Sequence, residues 1–140
     1  MLGGVAVLAG GIFAARWYNI GAEVGSDALS APDALTLTEA GKITLVDIRR
    51  PDEWHRTGVP RGAVALDLRR DDFTAALLTQ VGGDKDRPIA LICARGVRSA
   101  RLAARLSDAG FTQILDVPEG MMGSGAGPGW LSRGLPVAKR

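Results

Sequence analysis

Cysteine is nearly absent from this chain of 140 residues: there is one, Cys93. No intramolecular disulfide is available. The lone histidine, His55, leaves one Cys and one His, too few for a zinc site of the usual ligand spacings, so no metal is expected. An excess of charge of one sign is lacking too. Seventeen Lys and Arg face fifteen Asp and Glu, giving a net charge of +2 with no block of like charges. Nucleic-acid binding usually needs a concentrated basic face, so no nucleic-acid partner is expected. There is no internal repeat. The glycines at 120, 123, 125, 127 and 129 lack the G-x-x-x-x-G-K spacing of a phosphate loop, and a tight surface loop is expected there.

A full membrane-spanning run is also missing. Residues 1–15 are uncharged and apolar, but a span needs about 20 residues. Their composition suits the apolar core of an export signal or a membrane anchor, although no Lys or Arg precedes them. Residues 1–20 are therefore read as signal peptide or anchor, 21–33 as a linker and 34–140 as the domain. An extracytoplasmic location, with possible attachment to a membrane through the N-terminal segment, is the expectation. The sequence sets no oligomeric state.

What is present describes a globular domain, 46% hydrophobic and 23% charged. Residues 36–40 read as a short strand and a helical turn. Residues 43–47 are a β-branched apolar run ending in Asp47, a buried strand. Pro51 suits the first turn of a short helix. A strand is predicted at 63–66, a helix at 71–81 capped by Asp71 or Asp72, and a strand at 89–92. In the next helix Ser99, Leu102, Ala103, Leu106 and Ala109 recur at three and four, and Gly110 ends it. A last strand covers 113–117. Strands alternating with helices imply an α/β fold: a small, mostly parallel sheet of about five strands with helices on both faces.

Ligands of open α/β sheets gather at the carboxyl ends of the strands, where both Asp47 and Cys93 fall. After Cys93 the chain turns sharply at Gly96 and enters a helix at once. Loop amides and a helix N-terminus there make a nest for an anion, and Arg95 and Arg98 add positive charge. Such surroundings favour an ionised, nucleophilic thiol. A buried cysteine is the plainer alternative, which the glycine, arginines and helix start outweigh. Met121 and Met122 read as packing residues, Trp54 and Trp130 as core anchors, and His55 as no general base.

These residues carry a resemblance. Cys93-Ala94-Arg95-Gly96-Val97-Arg98-Ser99 resembles the active-site loop of the rhodanese superfamily, C-x-x-G-x-R-S. Leu45-Val46-Asp47-Ile48-Arg49, with Pro51-Asp52-Glu53-Trp54 after it, is similar to that family's D-x-R segment and the acidic and aromatic residues that follow. Gly134-Leu135-Pro136-Val137 resembles its terminal G-x-P-V. Where the family often has G-H-I-P-G-A, this chain has Gly58-Val59-Pro60-Arg61-Gly62-Ala63.

The resemblance implies a rhodanese-like fold and a sulfurtransferase. Cys93 would attack the sulfane sulfur of thiosulfate or a similar small anionic donor, and a thiol or cyanide would take that sulfur away. Ala94, Arg95, Gly96, Val97, Arg98 and Ser99 would hold donor and persulfide. Asp47 and Arg98 would help fix the loop, Ser99 would support its helix end, and Arg49 would be a structural ion-pair partner. No cofactor is implied. A binding module that carries persulfide or docks a partner without turnover is the alternative. Phosphatases and arsenate reductases of this fold resemble H-C-x5-R. Here only four residues separate Cys93 from Arg98, and Ile92 stands in place of the histidine.

Overall fold

The computed structural model describes residues 27–140. The reading of residues 1–20 lies outside them. Among the described residues, no helix is long and apolar enough to cross a membrane.

Among the described residues, the first element is a helix, α1 (Ala31–Glu39), where the sequence reading placed part of a linker and a short strand. Ser30 caps it by accepting from the Asp33 amide, and Pro32 occupies its first turn. The β-branched Thr36 and Thr38 favour a strand locally, but their hydroxyls donate to the carbonyls of Pro32 and Ala34 one turn back. Burial decides the outcome: Ala31, Ala34 and Leu37 share the inward face of a helix. Just before it, Ala28 forms a single parallel bridge with Asp116 and Leu29 is buried. Residues 28–33 thus belong to the packed body.

The strands β1 (Thr44–Asp47), β3 (Val64–Ala65), β4 (Ile89–Ile92) and β5 (Ile114–Asp116) form a fully parallel sheet in the order β3-β1-β4-β5. Among the described residues the sheet has four strands, one fewer than expected. The Ala28 bridge extends its β5 edge by a single residue pair. A separate antiparallel pair joins β2 (Val59–Pro60) to β6 (Val137–Ala138), which gives the terminal Gly134-Leu135-Pro136-Val137 motif its place.

Side chains alternate across the sheet with period two, and each face is sealed separately. Val46, Ile48, Ile89, Leu91 and Cys93 pack with α3 (Phe73–Gln80) and α4 (Val97–Asp108). Leu45, Ala90 and Ile92 pack with α1, Met121 and Trp130. The α3 helix starts later than the sequence reading had it, and its N-cap residue Asp72 makes no capping bond. The Asp72 carboxylate binds Arg70 instead.

From β1 the chain steps to one side for β3 and returns to the other side for β4. The topological switch point therefore lies between β1 and β4, where the carboxyl ends of neighbouring strands diverge to leave a crevice. The turn after β4 opens there, and it begins with Cys93.

Candidate active site

Cys93 keeps the parity of Ile89 and Leu91, so its side chain points to the α4 face of the sheet. It is buried, at 1% exposure, yet its sulfur has polar company. The Gly96 amide donates to Sγ at 3.1 Å. The thiol donates to Ser99 Oγ at 3.4 Å, and that hydroxyl donates to the Gly96 carbonyl at 3.2 Å. A closed ring of bonds thus joins Cys93, Gly96 and Ser99. Among the described residues, no acceptor takes the amides of Ala94, Arg95, Val97 and Arg98. The last two belong to the first turn of α4, where amides have no intrahelical partner. The loop therefore keeps a set of unpaired donors beside a sulfur atom.

Glycine at 96 is required twice over. Its φ is 90°, a left-handed value costly for other residues, and a Cβ there would run into the Pro118 carbonyl oxygen. The reciprocal contact is at Gly120, φ 67°, where a Cβ would strike the Ala94 carbonyl. The glycine-rich segment thus lies against the loop. The amides of Met121 and Met122 donate to the carbonyls of Cys93 and Ala94, both at 2.9 Å.

The two loop arginines do different things. Arg95 reaches to the glycine-rich segment, its Nη1 donating to the Gly123 carbonyl at 3.3 Å. Arg98 turns outward to Glu53, near the start of α2 (Pro51–Thr57), in a bidentate pair with both distances 2.9 Å. Glu53 Oε2 also accepts the Arg50 amide at 2.8 Å. The Arg98 guanidinium holds the Glu53 carboxyl at about 2, aided by that amide and opposed by burial. The pair ties the first turn of α4 to α2.

Asp47 and Arg49 form their own buried pair, Arg49 Nη2 to Asp47 Oδ2 at 2.8 Å, completed by Thr57 and the Gly58 carbonyl. They brace the segment after β1 and make no hydrogen bond to the Cys93 loop. Val97 is exposed at the start of α4.

Three acidic residues bear on the site without having been given a role there by the sequence. Glu53 is one. Glu119, nearly buried, accepts the amides of Ala31 and Gly129 and a bidentate Arg133. Burial pushes its carboxyl up, but these partners outweigh that and hold it below the usual range. It thereby fixes the segment that backs the loop. Asp116, at the end of β5, has its carboxyl raised by burial, with the Ser99 hydroxyl opposing the rise. Its Oδ1 is buried without a hydrogen-bond partner. For Glu53 a signal existed: it lies three residues past the N-cap, where Glu can reach back to an amide. The partners of Glu119 are far apart in sequence and left no local trace.

A cysteine on the switch-point loop of a parallel sheet, bonded by the Gly96 amide and followed by unpaired amides and the N-terminus of a helix, defines a class: parallel α/β domains with a cysteine at the head of a loop that enters a helix. The chain belongs to the rhodanese-like domain family, whose model matches residues 30–124. It is 30% identical to the homodimeric polysulfide-sulfur transferase of Wolinella succinogenes, with a TM-score of 0.62 over 93% of this chain and 89% of that one. A Rhodopseudomonas palustris protein described as of unknown function and a possible tyrosine phosphatase is 25% identical, with a TM-score of 0.60 over 80% and 84% of the two chains. An uncharacterized protein of Rickettsia prowazekii (strain Madrid E) is 26% identical over 98 residues, 66% of this chain and 80% of its own length.

Proposed function

We propose that this protein is a sulfurtransferase that moves a sulfane sulfur from thiosulfate, or a similar small anionic donor, to a thiol or cyanide through a persulfide on Cys93. The observation that carries this reading is the Gly96 amide, 3.1 Å from Sγ, in a loop whose other amides are unpaired.

In the first step the Cys93 thiolate attacks the outer sulfur of thiosulfate. A new S–S bond forms at Cys93, the S–S bond of the donor breaks, and sulfite leaves with the bonding pair. In the second step an acceptor thiolate or cyanide attacks the outer sulfur of Cys93–S–S⁻. The bond to Cys93 breaks, and the cysteine departs as thiolate. No net oxidant is consumed, and a covalent intermediate divides one difficult transfer into two. Loop amides directed at the transferred sulfur stabilise its negative charge in the low-dielectric interior. Arg95 on the loop attracts and orients the anionic donor. Arg98 acts through Glu53, holding the loop in shape.

Loop size favours sulfur over phosphate. Four residues between Cys93 and Arg98 suit one transferred atom, and Arg98, the arginine that closes the loop, is already committed to Glu53 rather than to a phosphoryl dianion. The composition of residues 1–20 supports export or membrane attachment of this activity, which fractionation of cells expressing the full chain tests.

The deciding experiment incubates the protein with thiosulfate and measures its intact mass. A gain of one sulfur that cyanide removes, absent in Cys93→Ser, supports the enzyme. A folded protein that stays unmodified would favour a non-catalytic binding module.

A further inference from the structure

Nine arginines of the described residues pair with an aspartate or glutamate. Four others, Arg95, Arg101, Arg105 and the C-terminal Arg140, have no carboxylate partner among the described residues, and the first three lie on the Cys93 loop or on α4, which grows out of it. Val97, Arg101 and Arg105 follow one another at spacings of four along that helix, so they share one face about 12 Å long. Arg101 sits in the N-terminal half of α4, which has no acidic residue in its first turn.

The same rim gathers apolar surface. Among the described residues, the exposed large hydrophobic side chains are Val97 at 59%, Met122 at 47% and Val137 at 41%. Two of these three border the cysteine loop: Val97 lies within it and Met122 is bonded to Ala94 through its amide. Scattered single apolar residues need no explanation, but here two of them adjoin Arg95 on the cysteine loop and the arginine face of α4 that leads away from it.

We propose that this rim is the docking surface for the sulfur acceptor, and that the acceptor is a protein thiol carried on an acidic segment with an apolar side chain beside it. The proposal rests on the sulfurtransferase reading and specifies its second substrate. A face 12 Å long is out of reach of cyanide or a small thiol seated in the loop, so its charges serve a macromolecule. Carboxylates of the partner pair with Arg101 and Arg105, which Asp108 at the end of α4 does not bind, and the apolar neighbour covers Val97 and Met122. The partner thiolate then attacks the outer sulfur of the Cys93 persulfide and leaves as R–S–SH once protonated, while Cys93 is freed as thiolate.

Two fluorescent peptides test this on the full chain: one with a single Cys between Leu and a run of Glu, the other with Lys in place of Glu. Anisotropy, with the peptide Cys replaced by Ser, reads docking without chemistry. The Glu peptide is expected to bind at least about tenfold tighter than the Lys peptide and to weaken with salt. Arg101→Glu with Arg105→Glu should cost about tenfold in that affinity and slow persulfide discharge to the Glu peptide thiol alike. Melting temperature and discharge to cyanide should stay unchanged. Equal binding of both peptides, or no effect of the double substitution, overturns the proposal. Binding to anionic-lipid vesicles with no preference for the Glu peptide over the Lys peptide overturns it as well and assigns the face to a membrane. Selective docking to a chain that never gains sulfur would instead sink the sulfurtransferase reading and leave the docking surface standing.

Discussion

Glu53→Gln separates a merely structural ion pair from one that shapes the nucleophile loop. The substitution keeps the size of the side chain but sets an amide NH2 against a guanidinium donor, so one of the two 2.9 Å bonds to Arg98 is lost outright. The Glu53 carboxyl falls from an ordinary 4.5 to about 2. Taken whole, that shift corresponds to about 3 kcal/mol. Arg98 is 34% exposed, so solvent screens the pair and about 1.5 kcal/mol is the better expectation. For a domain of this size that lowers Tm by about 6 °C. Because the folded-state value is depressed, the stabilisation is complete above about 4.5 and disappears as pH falls through about 2. Melting curves of both proteins should therefore differ fully at neutral pH, converge in acid and coincide near the low end. Single-turnover sulfur transfer at neutral pH should drop about tenfold in the rate of the chemical step. A stability gap that persists unchanged into strong acid would refute the electrostatic origin. A lowered Tm with an unaltered transfer rate would refute the link to the loop.

Gly96→Ala should destabilise the fold by about 1–3 kcal/mol, from the left-handed backbone and the collision with Pro118. Since the amide is displaced from sulfur, transfer should fall further than loss of folded protein explains, measured well below Tm. Glu119→Ala strands Arg133 and two amides and should cost about 2–4 kcal/mol in urea denaturation. A loss under about 1 kcal/mol would mean the segment 118–130 is held by packing alone. Cys93 at 1% exposure should react much faster with iodoacetamide than with a bulky maleimide, unless urea is added. Equal rates in the native protein would show the sulfur to be more open than its burial implies.

How much of this was legible in the chain follows from distance along it. Cys93, Gly96 and Ser99 lie within seven residues, so a turn, a helix start and a thiol could be placed together from spacing. The α4 periodicity and the β-branched run ending at Asp47 likewise carry their own signals. Thr36 and Thr38 misled, because a strand-like local preference was overridden by burial of Ala31, Ala34 and Leu37. Arg98 was legible as a loop residue, but its attachment to Glu53 spans forty-five positions. Glu119, bridging to Ala31 across eighty-eight positions, had no local signature at all. Partners of that kind are set by tertiary packing.

Mixing the protein with thiosulfate in the absence of any acceptor tests the central claim most directly, with released sulfite counted and the added sulfur mapped by peptide mass. One sulfite per chain, with one sulfur retained on the peptide containing Cys93, is the predicted result. Sulfite release without sulfur on that peptide, or no release from the folded protein, would contradict it.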